Sequence, residues 1–185
     1  MFTDHRSKKI ALVSHCLLNQ NSISDGTADC PSQFKEVVDV LMANEVGLIQ
    51  LPCPELLCLG LDRQDERGAE RELLEENTRI RGLMQREKNL KRLREKAREI
   101  AAQLQEYDLH GFTNVGLIGV DRSPSCGVST TSIAGEEKSG MGVFIQLLSE
   151  ELDTRCLKVA MVGVKTSKVD ESLVAVQRLV ANCVK

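Results

Sequence analysis

The 185-residue chain has no tryptophan, one tyrosine and four phenylalanines. Proteins that grip single-stranded nucleic acid stack its bases on aromatic rings, and 3% aromatic content leaves no such platform. Basic charge is not in excess either. Lys and Arg number 24 against 27 Asp and Glu, for a net charge of −3, which argues against a polyanion as principal partner. No apolar run approaches the ~20 residues of a membrane span. The basic start, Arg6 to Lys9, precedes only Ile10 to Val13, too short for the core of a signal peptide. These absences predict a cytoplasmic protein with no membrane and no nucleic acid among its partners. The length suits a single domain over residues 1–185, with a core that needs no disulfide support.

What stands out against this ordinary background is cysteine: seven residues, an odd number. In a reducing compartment they are buried thiols, nucleophiles or metal ligands rather than disulfides. Position along the fold decides which.

Lys9 to Ser14 is a short branched run of the kind that forms a buried strand. Pro31 opens a helical pattern with Phe34, Val37, Val38, Leu41 and Met42 on one face. Gly47 to Leu51 reads as a second strand, stopped by Pro52 and Pro54. Residues 69 to 108 form one long charged segment with a narrow apolar stripe from Leu73 to Leu104, which Gly82 divides into two helices. Its Arg79, Arg86, Lys91, Arg94 and Arg98 read as a solvated face rather than a nucleic-acid patch. Phe112 to Val120 is a third strand and Leu157 to Val164 a fourth. A helix around Val143 to Glu151 lies between them, and Val169 to Cys183 closes the chain as a helix. Gly135, Gly140 and Gly142 mark a mobile loop on the rim. Alternating strands and helices predict an α/β fold: three layers around a mostly parallel sheet of about four to five strands. Right-handed crossovers place the carboxyl ends of those strands on one rim.

Cys16 falls just beyond the first strand, Cys53 just beyond the second and Cys126 shortly beyond the third. The carboxyl ends of such strands are where ligands bind. Two prolines fix the backbone in Leu51-Pro52-Cys53-Pro54-Glu55, and Ser123-Pro124-Ser125-Cys126-Gly127 is a rigid turn. Zinc sites commonly use closely spaced cysteine pairs, and no Cys-x-x-Cys occurs. Three dispersed thiolates suit a 4Fe–4S cluster with one iron free of protein sulfur, whereas a fourth thiolate would favour electron transfer. Cys58 and Cys30 are the candidates for that fourth position. Cys30, ahead of Pro31 at a helix start, would have its pKa lowered by the helix dipole and be reactive, but an unremarkable loop cysteine is the better reading. Cys156 and Cys183 read as core packing. His15 adjoins Cys16, but neighbours on an extended segment point apart, so adjacency does not make a catalytic pair. Glu55 and Asp121 are the acid–base candidates on the rim, with a solvated loop carboxylate or a cap as the equal alternative for each, and Ser123 bonds a substrate or a cluster sulfur, or caps its turn. A cofactor-free binding module, with all seven cysteines structural, is the remaining alternative.

Three segments together resemble the thiouracil desulfurase family (TudS), in particular its shorter desulfidase-like members: Val13-Ser14-His15-Cys16-Leu17-Leu18-Asn19; Cys53-Pro54-Glu55 followed by Gly60-Leu61; and Ser123-Pro124-Ser125-Cys126-Gly127. The resemblance implies a Rossmann-like domain whose Cys16, Cys53 and Cys126 bind an oxygen-sensitive 4Fe–4S cluster. It implies non-redox removal of sulfur from a small thiolated compound, a thionucleobase among the candidates. It further implies that the open iron of the cluster takes the sulfur, forming a 4Fe–5S species, while an acidic residue assists attack by water. Glu55 and Ser123 match motif positions. The chain departs from the family at Asn19-Gln20-Asn21, where a glycine is common, and at Gly60-Leu61-Asp62-Arg63, where Gly-Leu-Pro-Thr-Pro-Arg is common.

Overall fold

A computed structural model describes residues 2–183. Its centre is a sheet of four parallel strands, β1 (Lys9–Val13), β2 (Gly47–Gln50), β3 (Thr113–Val120) and a later strand at Met161–Val164, in the spatial order β2, β1, β3, Met161–Val164. Between β3 and that last strand runs an antiparallel hairpin of β4 (Thr130–Ile133) and β5 (Glu136–Ser139), so Met161–Val164 is β6. The helices are α1 (His15–Leu18), α2 (Lys35–Ala43), α3 (Pro54–Leu59), α4 (Leu73–Met84), α5 (Glu87–Leu109), α6 (Val143–Thr154) and α7 (Val169–Ala181). The architecture is the expected three-layer, Rossmann-like α/β arrangement.

The layers follow from the two-residue period of β1. Ile10 and Leu12 point into a core shared with Leu93, Ala97 and Leu104 of α5 and with Phe144 and Leu148 of α6. Ala11 and Val13 point to the other face, against Val37 and Leu41 of α2 and Val176 and Leu179 of α7. Leu12, Leu41, Leu93 and Phe144 are all at most 1% exposed, and burying each such side chain stabilises the fold by about 1.5–3 kcal/mol. After β1 the chain goes to one side for β2 and later crosses to the other for β3. The sheet therefore reverses its winding between β1 and β3, the position where open α/β sheets part to admit ligands.

Several boundaries differ from the sequence pattern, each for a tertiary reason. The helix expected at Pro31 begins at Lys35, because the preceding backbone is bound to the first crossover: Gln20 donates its N–H to the Ser32 carbonyl and Phe34 donates to the Leu17 carbonyl at 2.9 Å. The long charged segment breaks at Gln85–Arg86 rather than at Gly82, which lies within α4. Asn89 Nδ2 donates to the Leu83 carbonyl at 2.9 Å and satisfies the end of α4. The fourth strand starts at Met161. Before it, Cys156 takes a left-handed φ of 57° and the Leu157 N–H returns to the Leu152 carbonyl, closing α6 first. Cys156 is consequently exposed, not core, whereas Cys183 is half-buried and its thiol donates to the Val115 carbonyl at 3.2 Å. The glycine-bearing stretch read as a mobile loop is the β4–β5 hairpin, tied to α4 where the Gly135 N–H donates to Thr78 Oγ1 at 2.9 Å. Among the described residues no helix is long and apolar enough to cross a membrane.

Candidate active site

Three crossovers each deliver one cysteine to the rim above the β1–β3 junction. At the end of β1 the Ser14 N–H still donates to the Ile118 carbonyl of β3 at 3.0 Å. The chain then coils into α1, with Leu17 driven into the core. Cys16 is thereby set against the sheet edge, and Gln20 Nε2 bonds its carbonyl at 3.0 Å. Beyond β2, Pro52 ends the strand and Pro54 occupies the first helical position of α3, where its missing N–H is no loss. Cys53 becomes the N-cap, its Sγ accepting the Leu56 N–H at 3.4 Å.

The third loop is the most heavily tied. Ser123 Oγ accepts the N–H of Cys126 at 3.0 Å and that of Ser125 at 3.3 Å, so of its two expected roles the one observed is the cap. Asp121 Oδ1 accepts three successive backbone N–H groups, from Val128, Ser129 and Thr130, at 2.8–3.2 Å. The carboxylate proposed from sequence as an acid–base group thus organises the Cys126 loop. Gly142 passes so close that a Cβ there would stand 2.4 Å from the Ser125 carbonyl carbon and 2.7 Å from the Cys126 nitrogen.

Cys16, Cys53 and Cys126 line one recess enclosing about 760 Å³, part of it open to solvent. Glu55, Asp121 and Ser123 share its wall. Neither Cys30 nor Cys58 is among the lining residues; Cys58 packs against the core beside the first sheet face. Cys30 lies outside any helix, and its pKa is raised by burial and by the nearby Glu36 and Asp29. That overturns the dipole activation, since the helix starts four residues too late to supply it.

The three rim thiols form one electrostatic unit. Burial pushes the Cys16 pKa up to about 12, reinforced by Cys53 and Glu55. Burial likewise raises Cys53, with Glu55 adding to it and the Leu56 N–H and Arg63 opposing. Cys126, buried at 6% exposure, is raised well above the usual thiol range by burial and then by Cys16 and Cys53. Each ionised thiol would therefore repel the others, and a cationic guest is what would let all three ionise together. Among the described residues no group of three or more His, Cys, Asp or Glu stands close enough to hold a single ion. Three thiols lining one recess are the donor type that an iron–sulfur cluster takes, one thiolate to each ligated iron.

Among the described residues, two buried hydroxyls adjoining the Cys16 and Cys126 loops have no hydrogen-bond partner: Ser14 Oγ and Ser125 Oγ, each in a residue with 0% exposure. The Ser14 hydroxyl lies toward the Cys126 thiol and favours its ionised form without reaching full hydrogen-bond geometry. Buried polar groups are ordinarily satisfied; Ser14 immediately precedes the Cys16 loop and Ser125 lies within the Cys126 loop.

Glu55 is 9% exposed and forms an ion pair with Arg63, Nε to Oε2 at 3.2 Å. No protein hydrogen bond reaches its Oε1 among the described residues, leaving one carboxylate oxygen for the recess. His15 is turned away from any pairing with Cys16: its Nδ1 meets Gln50 Nε2 at 2.9 Å, and burial lowers its pKa. Sequence reasoning missed two arginines. Arg63 had no local signal. Arg81 had one, because Asn77, Arg81 and Met84 repeat at helical spacing on the buried side of α4. Its Nη1 is shared among Thr131 Oγ1 at 3.0 Å and the Pro124 and Met141 carbonyls at 3.3 Å.

A profile of the 2-thiouracil desulfurase family matches residues 11–157, a span holding all three rim cysteines. An uncharacterized protein of Methanocaldococcus jannaschii is 36% identical over 123 residues, which is 66% of this chain and 70% of that protein. No solved structure matches. With its matched span running from β1 through α6, the chain belongs to the 2-thiouracil desulfurase family.

Proposed function

We propose that the recess is the active site of a cytoplasmic desulfidase that removes sulfur from a small thiolated compound, a thionucleobase in the first instance. Cys16, Cys53 and Cys126 are the residues that hold its 4Fe–4S cluster. The observation that carries this reading is the convergence of one buried and two half-buried thiols, which would repel one another when ionised, on one recess beside a carboxylate whose Oε1 has no hydrogen bond among the described residues. When bound, a cluster on three thiolates supplies one iron without protein sulfur, a Lewis acid toward the sulfur of a thiocarbonyl.

The chain's own residues supply the rest. Glu55 Oε1 accepts a proton from the water that attacks the thiocarbonyl carbon, with Oε2 held by Arg63. Ser123 and Asp121 act by position: one caps the Cys126 turn and the other gathers the backbone beyond it. The reaction balances without net electron transfer: water supplies the oxygen of the product carbonyl, the carbon–sulfur double bond is lost, and sulfur leaves as hydrogen sulfide.

The test is anaerobic reconstitution followed by iron and sulfide analysis. About four irons per chain, a broad visible absorption band and sulfide release from 2-thiouracil or a related thione are expected. Cys16→Ala, Cys53→Ala and Cys126→Ala should each lose the cluster, while Cys58→Ala, Cys156→Ala and Cys183→Ala should keep it. Retention of the full iron content by any one of the first three variants would overturn the ligand assignment.

A further inference from the structure

Arg63 follows the matching Gly60-Leu61, at the point where the chain reads Asp62-Arg63 and departs from the family's common sequence. Its guanidinium is nevertheless 2% exposed, among the most deeply buried side chains of the chain. Each nitrogen is used. Nε donates to Glu55 Oε2 at 3.2 Å, Nη1 to the Gly60 carbonyl at 2.6 Å and the Leu61 carbonyl at 3.2 Å, and Nη2 to the Ser22 carbonyl at 2.5 Å. The same Nη2 stands 4.0 Å from Cys53 Sγ. To reach this place the backbone adopts left-handed φ values at two successive side-chain-bearing residues, 52° at Arg63 and 62° at Gln64. Left-handed backbone in residues other than glycine persists where the surroundings hold it, and such positions cluster at functional sites.

Resting on the reading of the recess given above, we propose that Arg63 is a positioning residue for the reaction. It clamps Glu55 by one oxygen so that the other faces the substrate, and it places a fixed positive charge beside the Cys53 ligand. A purely structural role would need only the three carbonyl contacts, which tie the Gly60–Arg63 turn to the Ser22 segment. The Glu55 and Cys53 contacts are what connect the residue to chemistry. A guanidinium is required because its planar fork reaches the carboxylate on one side and the Ser22 carbonyl on the other, which a lysine ammonium cannot span.

The experiment uses the full chain loaded anaerobically with its cluster, with 2-thiouracil as the probe substrate. Arg63→Lys, Arg63→Gln, Glu55→Gln and the double variant Glu55→Gln/Arg63→Gln are compared for iron content, midpoint reduction potential, kcat and KM. Arg63→Lys is expected to retain its iron and the wild-type potential while kcat falls about 10-fold and KM changes little. Arg63→Gln is expected to lose about 100-fold in kcat and to shift the potential to more negative values, because an added electron loses a nearby positive charge. The double variant should be no slower than Glu55→Gln alone, since Arg63 acts through Glu55.

Unchanged kcat and potential in Arg63→Gln overturn the proposal, as do losses that multiply in the double variant. Loss of iron from both Arg63 variants, with the wild type loaded, reduces Arg63 to a structural residue and also overturns it. Wild-type protein that takes up no iron, or that loads and releases no sulfide from a thione, fails the reading of the recess itself.

Discussion

Asp121 Oδ1 accepts the Ser129 backbone N–H at 2.8 Å, the shortest of the three backbone bonds it gathers from the segment after Cys126. One oxygen atom thus closes the loop that carries the third thiol. Each hydrogen bond to a charged acceptor contributes roughly 1.5–3 kcal/mol. Asp121→Ala should therefore destabilise the protein by about 3 kcal/mol or more and lower its iron occupancy, while Asp121→Asn, which keeps an acceptor oxygen, should fall between. Urea denaturation with iron analysis on both variants checks this. Equal stability of Asp121→Ala and wild type would show that the loop is held elsewhere.

Gly142 is needed for close approach rather than for unusual backbone, since its φ is −66°. A Cβ would collide with the Ser125–Cys126 peptide, which cannot swing aside as a side-chain end can. Gly142→Ala should displace the Cys126 loop and reduce cluster content several-fold. Gly82→Ala, a helical glycine with open space around it, should be neutral or stabilising by up to about 1 kcal/mol. Comparing iron content and unfolding midpoint in the two variants separates the effect of contact from that of glycine itself.

Arg81 carries a charge into the protein with no carboxylate partner among the described residues, its Nη1 shared by three oxygens, and burial lowers its pKa. Arg81→Met removes that donor and leaves the Pro124 and Met141 carbonyls and Thr131 Oγ1 to lose one partner each. We expect a loss of stability of about 1–3 kcal/mol, and faster hydrogen exchange in β4 and the Cys126 loop than in α7. Exchange that rises equally in all three would show that the arginine supports the fold as a whole.

The thiols make iron-free protein sensitive to alkali. Cys16 has an ordinary thiol pKa of 9.0 and is pushed up to about 12 in the fold. Above pH 9 the unfolded chain releases this proton while the native chain keeps it, so the native state binds more protons and stability falls as pH rises. The decline is about 1.4 kcal/mol per pH unit for each such thiol, beginning near 9 and ending where the native thiol ionises. Cys16→Ala should show a shallower decline in urea denaturation between pH 8.5 and 10. An identical slope would mean that Cys16 does not remain protonated in the native state over that range.

The parallel sheet and the three cysteines at its rim were legible because their signals are local. Branched residues at Ile10–Val13 and Val115–Ile118 mark strands buried on both faces. Pro52 and Pro54 stop β2 where Cys53 must cap α3, and Ser123 reaches only three residues forward to cap its own turn. The family resemblance rests on the same short segments. Failures arose wherever a distant partner competed with local preference. Pro31 did not start its helix because Ser32 and Phe34 were already bonded to the first crossover. Gly82 did not break the charged segment because the Asn89 side chain ends α4 two residues later.

Local order along the chain was enough to specify the four strands of the parallel sheet, to within a few residues at their ends, and which cysteines follow the first three of them. It could not place Arg63 against Ser22 and Glu55, nor Arg81 against Pro124 and Met141. Such contacts join segments as many as 60 residues apart, and a buried charge is held by whatever the folded chain brings to it, which no periodicity or short motif records.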